Sequence, residues 1–446
     1  LKKTQSVVIE KIVNGALGLA RLMDGRVVLV DKVLPHEKVS ITIRQEKKQY
    51  LFGDVCAIET AHPERVQAPC PWYGQCGGCD LQHCHYDFQL QLKTRIVEDL
   101  FLRRFPETVL KNPLSIRTTL ASPASFGYRQ RIRLQVGKNY RLGFTGPRSH
   151  TVIPISSCLV AQDELNTALT ELQKDAKSAK ILQNCREVEL LFNPISSGVV
   201  CLFHLVRKPR PSDIRQAEDL VCESVCIESV YFAGEDFALI GPVGQTEKNS
   251  AFALQMRVNF FRDDVPALNM QWEVGGFCQV NLEQNEHLIR HVLLLCDLHG
   301  DESVLDLFCG MGNFSIPLAT KAGSLVGIEG QGSAVRSARK NSKAAGLDNT
   351  NFHKAPIHQA CRELAVRNKV FDCLILDPPR QGVPGLAGEL AVLTGRKMVY
   401  ISCDPATLCR DLKELCRHGL TITHIQPFDM FPQTHHIETV VLLEKN

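Results

Sequence analysis

The sequence predicts a multidomain chain: an N-terminal OB-like β-barrel, a central α+β domain with a metal cluster, and a C-terminal doubly wound α/β domain of Rossmann-like type. Three observations predict it. Residues 1 to about 60 carry short β-rich runs broken by turn residues. A tight group of cysteines follows at 70–79. From about residue 270, buried strands alternate with helical runs. The expected divisions are 1–62, 63–268 and 269–446.

At 446 residues the chain exceeds one ordinary core, so two or three domains are expected. Hydrophobic residues at 44% and charged residues at 22% fit a globular protein with no membrane span. The first residues, Leu1 to Gln5, lack the apolar block of a signal peptide, and a cytoplasmic location is the expectation. The net charge of +3 neither demands nor excludes nucleic acid. Eighteen cysteines in such a chain argue against a disulfide framework; most should be core thiols and the clustered ones metal ligands.

Val7–Ile9, 27–30 and 39–43 read as strands of the first domain, and Asp24-Gly25 between two of them as a hairpin turn. Five or so strands in this length suggest a small barrel, a common nucleic-acid platform. Arg44, Lys47 and Lys48 form a basic loop, either an RNA contact or a solvated charge run. Gly15-x-x-Gly18-x-Ala20-Arg21, with Leu34-Pro35-x-Glu37, resembles the TRAM domain attached to many RNA-modifying enzymes.

Cys70-x5-Cys76-Gly-Gly-Cys79 can ligate one metal centre, because two glycines let the backbone curl around it. A [4Fe–4S] cluster held by three close cysteines and a fourth is one reading. Tetrahedral zinc is the other. Cys84 nearby and Cys158 farther on are both candidates for the fourth ligand. Beyond the cysteines, residues 89–104 have helical periodicity. Residues 128–136 alternate, with Arg129, Arg131 and Arg133 on one face, which suits either phosphate contacts or a solvated face.

In the last domain, 304–308 is a buried strand that runs into Cys309-Gly310-Met311-Gly312-Asn313, and 324–328 is a second strand that ends at Glu329. Strand, glycine-rich turn and helix make a nucleotide site, and an acid closing the next strand can take both ribose hydroxyls. Ser315 stands where the G-x-G-x-x-G fingerprint needs its third glycine, so S-adenosylmethionine is favoured over NAD. Residues 371–376 form a third strand that ends in Asp377-Pro-Pro-Arg380. Residues 398–401 form a fourth, ending in Ser402-Cys403-Asp404. Ligands of such sheets sit beyond the carboxyl ends of the strands, where Asp306, Glu329, Asp377 and Cys403 converge. Glu438 opens the last strand and joins them if that strand runs antiparallel.

A thiol, a carboxylate and a methyl donor together suit an acceptor that needs covalent activation. Pyrimidine C5 is one: Cys403 would add at C6, C5 would take the methyl, and Glu438 would remove the C5 proton. Phe277 is a candidate stacking platform for an unstacked base. Arg380 stands where amino-methylating enzymes carry an aromatic residue, and Pro379 where cytosine-C5 enzymes carry a cysteine, so uracil is preferred.

The chain resembles the RNA (uracil-C5)-methyltransferase family, and most of all its 23S rRNA branch with a TRAM domain and an iron–sulfur cluster. The motifs are the cysteine group, Phe277-x-Gln279-Val-Asn, Asp306-Leu-Phe-Cys-Gly-Met-Gly-Asn313, Leu376-Asp-Pro-Pro-Arg380, Ser402-Cys-Asp-Pro, Asp429-Met-Phe-Pro and His436-Ile-Glu-Thr. The resemblance implies a class I methyltransferase fold and Cys70, Cys76, Cys79 and Cys158 as ligands of a [4Fe–4S] cluster. It implies S-adenosylmethionine contacts from Gln279, Phe308, Asn313, Glu329 and Asp377, with Cys403 as nucleophile and Glu438 as base. An RNA partner, 23S rRNA, and a monomeric state are expected. The same chemistry on tRNA, or an RNA-binding protein with an inactive fold, are the alternatives. The family's Asn or Asp near the adenine is replaced at about Pro356, and its Ser-Cys-Asn-Pro is Ser-Cys-Asp-Pro here.

Overall fold

The computed structural model describes residues 4–105, 116–244, 253–258 and 267–445. Five strands close into a barrel: β1 (Thr4–Val13), β2 (Leu17–Arg21), β3 (Val27–Asp31), β4 (Lys38–Glu46) and β5 (Leu51–Thr60), in the order β1-β2-β3-β5-β4. Alternation drives them inward: Val28 and Val30, and Val39 and Ile41, are fully buried at a period of two. Asp24-Gly25 turns β2 into antiparallel β3, with Gly25 at φ +87°. Arg44 is on β4 and pairs with Asp31 and Asp54, so of the expected basic loop only Lys47 and Lys48 stay exposed.

The cysteine loop leads into α1 (Tyr86–Arg104). A seven-stranded sheet follows, built from β6 (Arg131–Val136), β7 (Leu142–Thr145), β8 (Val152–Pro154), β9 (Cys185–Asn193), β10 (Gly198–Leu205), β11 (Ile227–Gly234) and β12 (Phe237–Val243). Helices α2 (Asp163–Lys174), α3 (Ala176–Leu182) and α4 (Pro211–Glu223) pack on it. The arginine row at its start meets a row of carboxylates on the next strand. Arg131 and Arg133 pair with Glu189 of β9, and Arg133 also with Glu187. Burial pushes the Glu189 carboxyl up, but His204 and the two guanidiniums outweigh it and hold it down at about 2. Arg131 is 18% exposed and Arg133 51% exposed, so the carboxylates hold both guanidiniums while Arg133 stays at the surface.

The last part begins with an antiparallel ribbon, β13 (Ala253–Val258) and β14 (Leu268–Glu273). The division drawn from sequence between 268 and 269 falls inside β14, whose Met270 and Trp272 share an apolar cluster with the C-terminal sheet. Then come α5 (Leu282–Cys296), β15 (Ser303–Leu307), α6 (Ser315–Ala319), β16 (Ser324–Glu329), α7 (Gly332–Ala344), β17 (Thr350–Lys354), α8 (Ile357–Val366), β18 (Phe371–Leu376), α9 (Ala387–Leu393), β19 (Thr394–Ser402), α10 (Pro405–Arg417), β20 (Leu420–Phe428) and β21 (Glu438–Lys445). The sheet order is β17-β16-β15-β18-β19-β21-β20, and β21 runs antiparallel to both its neighbours. The order reverses between β15 and β18, which opens a crevice at their carboxyl ends.

Helix α1 belongs to two surfaces at once. Its Leu92, Ile96, Val97 and Phe101 share one apolar cluster with barrel residues such as Ile9 and with Leu408 and Leu412 of α10. Residues 117–120 then run along β20, with Leu120 N–H donating to Pro427 O at 2.9 Å and Asp429 N–H to Leu120 O at 2.9 Å, which covers that sheet edge. No helix among the described residues is long and apolar enough to cross a membrane.

Candidate active site

The carboxyl end of β15 is built around backbone conformations that few residues adopt. Phe308 sits at φ +65°, and both its N–H and that of Cys309 donate to Ile328 O at 2.9 and 3.2 Å. Gly312 has φ +92°, and a Cβ there would meet Ile316 at 2.8 Å. Glu329, closing β16, accepts from Gly310 N–H at 3.2 Å and from Gln331 N–H at 2.7 Å. Asn313 exchanges two amide hydrogen bonds with Asn285 of α5, at 2.9 and 3.0 Å.

Three acids cluster at these strand ends, Asp306 and Glu438 buried and Asp377 half-buried. Burial pushes the Asp306 carboxyl up to about 7; the Ser315 hydroxyl, which donates to it, pulls the other way, and the charges of Asp377 and Glu329 add to the rise. Asp306 Oδ1 is buried with no hydrogen-bond partner among the described residues. Asp377 is raised to about 7 by burial, and Glu438 well above the ordinary carboxylate range by burial and then by Asp377. Acids so crowded and so dry suit a cationic ligand, which would repay their desolvation.

Cys403 is a half-buried free thiol one residue beyond β19. Ser402 pairs with Thr439 across β19 and β21, so Cys403 and Glu438 stand at adjacent strand ends. Burial pushes the Cys403 thiol up to about 12, Glu438 and Asp377 push the same way, and the Arg380 guanidinium opposes them. Arg380 Nη2 also lies 3.3 Å from His436 Nε2. The turn after Arg380 is pinned by Asp411 of α10, whose carboxylate accepts from Val383 N–H at 2.9 Å and Tyr400 O–H at 2.8 Å.

Phe277 and Gln279 lie on the loop between β14 and α5, Phe277 68% exposed and Gln279 buried. The central sheet holds this loop. Gln130 Nε2 donates to Gln279 O at 2.7 Å, and Arg131 donates to Gly276 O at 2.8 Å. Asn281, the N-cap of α5, donates to Met430 O at 3.3 Å and so ties the loop to the β20–β21 connection. The motifs alone did not reveal Gln130, Asp411 or His436 in these positions. His436 was visible only as part of a motif, and Gln130 and Asp411 left no local signal.

Cys70, Cys76, Cys79 and Cys158 line one cavity of about 90 Å³. All four thiols are free. Cys84 is turned away, its thiol donating to Leu81 O at 3.4 Å. A Cβ on Gly78 would stand 3.4 Å from Cys76 Sγ, so the small residue leaves the sulfur room. Arg129 borders the same cavity, its guanidinium over the rings of Tyr128 and Phe431.

Comparison with known proteins agrees with this architecture. The family described as tRNA (Uracil-5-)-methyltransferase matches residues 266–446, and the TRAM domain matches residues 2–56. The 23S rRNA (uracil(1939)-C(5))-methyltransferase RlmD of Vibrio parahaemolyticus is 32% identical over 99% of this chain and 96% of its own length. The enzyme of the same name from Pseudomonas putida is 32% identical over 99% and 94%. The solved structure of a Pyrococcus abyssi tRNA (uracil-54, C5)-methyltransferase with S-adenosyl-L-homocysteine is 25% identical, covers 98% of this chain and 100% of its own, and superposes with a TM-score of 0.72.

Proposed function

The chain belongs to the 23S rRNA (uracil-C5)-methyltransferase family, and from that premise we propose that it methylates C5 of a 23S rRNA uridine equivalent to the one its relatives are named for. The observation that carries the mechanism is the placing of Cys403 and Glu438 at adjacent antiparallel strand ends beside the buried acids.

Bound S-adenosylmethionine supplies an electrophilic methyl group on a sulfonium. Asp306 and Asp377 suit its positive charge, and Glu329, Phe308, Asn313 and Gln279 are the further contacts we assign to it. Cys403, helped towards its thiolate by Arg380, adds to C6 of the uracil and makes C5 nucleophilic. After methylation, Glu438 takes the C5 proton, the C5=C6 double bond reforms and the C6–S bond breaks. A carboxylate made more basic by burial is better matched to a carbon acid than an exposed one. Phe277, exposed beside Gln279, is the platform for the unstacked base.

The four cavity cysteines fit a [4Fe–4S] centre as ligands. What supports a single centre is that all four cysteines line one cavity, which would suit three close ligands and a fourth from farther along the chain. Methyl transfer needs no electron, so such a centre would hold the polypeptide around it or position RNA. We keep 1–62 as the TRAM unit, and assign the 253–273 ribbon to the methyltransferase unit.

The test is incubation with labelled S-adenosylmethionine and a 23S rRNA fragment carrying 5-fluorouridine. The fluorine cannot leave as a proton does, so a methylated protein–RNA adduct through Cys403 should persist in denaturing gels. Its absence in the wild-type protein sinks the mechanism. A tRNA carrying 5-fluorouridine, run in parallel, should form the adduct more slowly.

A further inference from the structure

The connection between β20 and β21, residues 429–437, delivers His436 and Glu438 to the site, and it is held from outside the methyltransferase sheet. Helix α1 grips its first half: Lys93 Nζ lies 2.6 Å from Asp429 Oδ1, and Gln89 exchanges two hydrogen bonds with Gln433 at 2.9 and 3.2 Å. The cysteine loop grips its second half. Asp80 and Leu81 donate their N–H groups to Gln433 O at 2.9 and 3.0 Å. The Asp80 carboxylate accepts from His435 twice, from Nδ1 at 2.6 Å and from the backbone N–H at 3.1 Å.

Asp80 immediately follows Cys79, and Tyr73, which lies between Cys70 and Cys76, donates its O–H to Asp80 O at 2.6 Å. The His435 ring stands 4.1 Å from that of His436, which meets Arg380. A short path therefore runs from the four-cysteine cavity through Asp80 and His435 to the groups around Cys403.

We propose that Asp80 is a positioning residue for the reaction: by clamping His435 it makes the four-cysteine centre the anchor of the loop that aims Glu438, and so sets how fast the covalent RNA adduct is resolved. This rests on the uracil-C5 reading above. Adduct formation draws on Cys403, which β19 positions from within the sheet. Resolution draws on Glu438, whose approach to the C5 proton is set by the clamped loop, and errors of about 1 Å in such groups cost about a hundredfold in rate. The step itself balances: the C5 proton passes to the Glu438 carboxylate, the C–H electrons form C5=C6, and the thiolate leaves.

The test uses Asp80→Ala and His435→Ala in the full chain. Adduct formation is read with 5-fluorouridine RNA, turnover and adduct accumulation with ordinary uridine RNA, and iron by metal analysis. Both variants should form the 5-fluorouridine adduct within about threefold of the wild-type rate while turnover falls about tenfold or more and ordinary adduct accumulates. Amides of residues 433–438 should exchange hydrogen faster, with iron content unchanged in His435→Ala. The double variant should be no slower than Asp80→Ala, because both changes break one contact. Asp80→Glu should recover part of the turnover. The proposal is overturned if adduct formation and turnover fall together, or if His435→Ala turns over like wild type. Failure of the wild-type protein to form any 5-fluorouridine adduct would instead overturn the functional reading.

Discussion

Ser402 of β19 is paired with Thr439 of β21 in antiparallel register, and this one pairing puts Cys403, one residue after the first, beside Glu438, one residue before the second. The two groups are 35 positions apart in sequence. Had β21 run parallel, its start would lie at the opposite edge of the sheet. The single reversed strand is what brings this thiol and this carboxyl group to one end of the sheet.

Glu438→Gln should leave adduct formation with ordinary uridine RNA intact and slow its resolution by about 10²–10⁴-fold, the usual worth of a positioned base. Cys403→Ala should form none. Adduct on denaturing gels reads both. Equal turnover in Glu438→Gln and wild type removes Glu438 from the base role.

Stability of the donor-free protein should fall as pH rises from about 4 to about 8. Burial raises Asp306 and Asp377 in the folded protein to about 7 from the ordinary carboxylate value of 3.8. Below the ordinary value both states are protonated and nothing is lost; as pH passes 7 the folded protein must ionise two buried acids while the unfolded chain already has. The donor's positive charge offsets this, so S-adenosylmethionine should raise Tm more at pH 8 than at pH 5.5, and more than S-adenosylhomocysteine does. A pH-independent increment means the acids do not face the donor.

Lys93→Ala should cost about 3–5 kcal/mol, since it leaves a buried carboxylate uncompensated. Lys93 and Asp429 are 1% and 0% exposed. Lys93→Met with Asp429→Leu should recover much of that loss. Denaturant unfolding measures it; a loss under about 1 kcal/mol for the single variant shows the pair to be solvated.

Phe277→Ala should leave Tm within about 1 °C, because the ring is 68% exposed, and weaken RNA binding by about 1–3 kcal/mol, the range for one base stacked on an aromatic ring. Filter binding and thermal melts separate the two. A large drop in Tm with unchanged RNA affinity would make Phe277 a packing residue.

Protein purified without oxygen should carry about four irons and absorb in the visible range. Cys158→Ala should lose them and Cys84→Ala should keep them, because only the first lines the cavity. Stoichiometric zinc in place of iron contradicts the cluster.

Much of the site was legible because its chemistry is local in sequence. The turn after β15, Asp377-Pro-Pro-Arg380 and Ser402-Cys403-Asp404 each sit where a buried strand stops, and an apolar run that ends in a polar residue announces that stop. The arginine row marks where that logic stops. Alternation correctly put Arg131 and Arg133 on one face of β6, but their partners, Glu187 and Glu189, lie on a strand more than 50 positions away, and no local pattern reports that pairing. The division expected at 268/269 cuts β14 after its first residue, because β14 is held by an antiparallel partner and by the C-terminal core, neither of which its own six residues reveal.

The sequence by itself determined the barrel, the cysteine group, the doubly wound sheet and the identity of the thiol and the acids, because periodicity, turn residues and ligand spacing are short-range properties. Only the tertiary structure decided that β21 is reversed, that Cys158, expected only from the resemblance, lines the cavity with the three close cysteines, and that Gln130, Asp80 and α1 hold the loops carrying Phe277, Gln279 and Glu438. Those are contacts between segments 37 to more than 300 residues apart, and the longest of them exist only once the hydrophobic cores have brought the barrel, α1 and the methyltransferase sheet together.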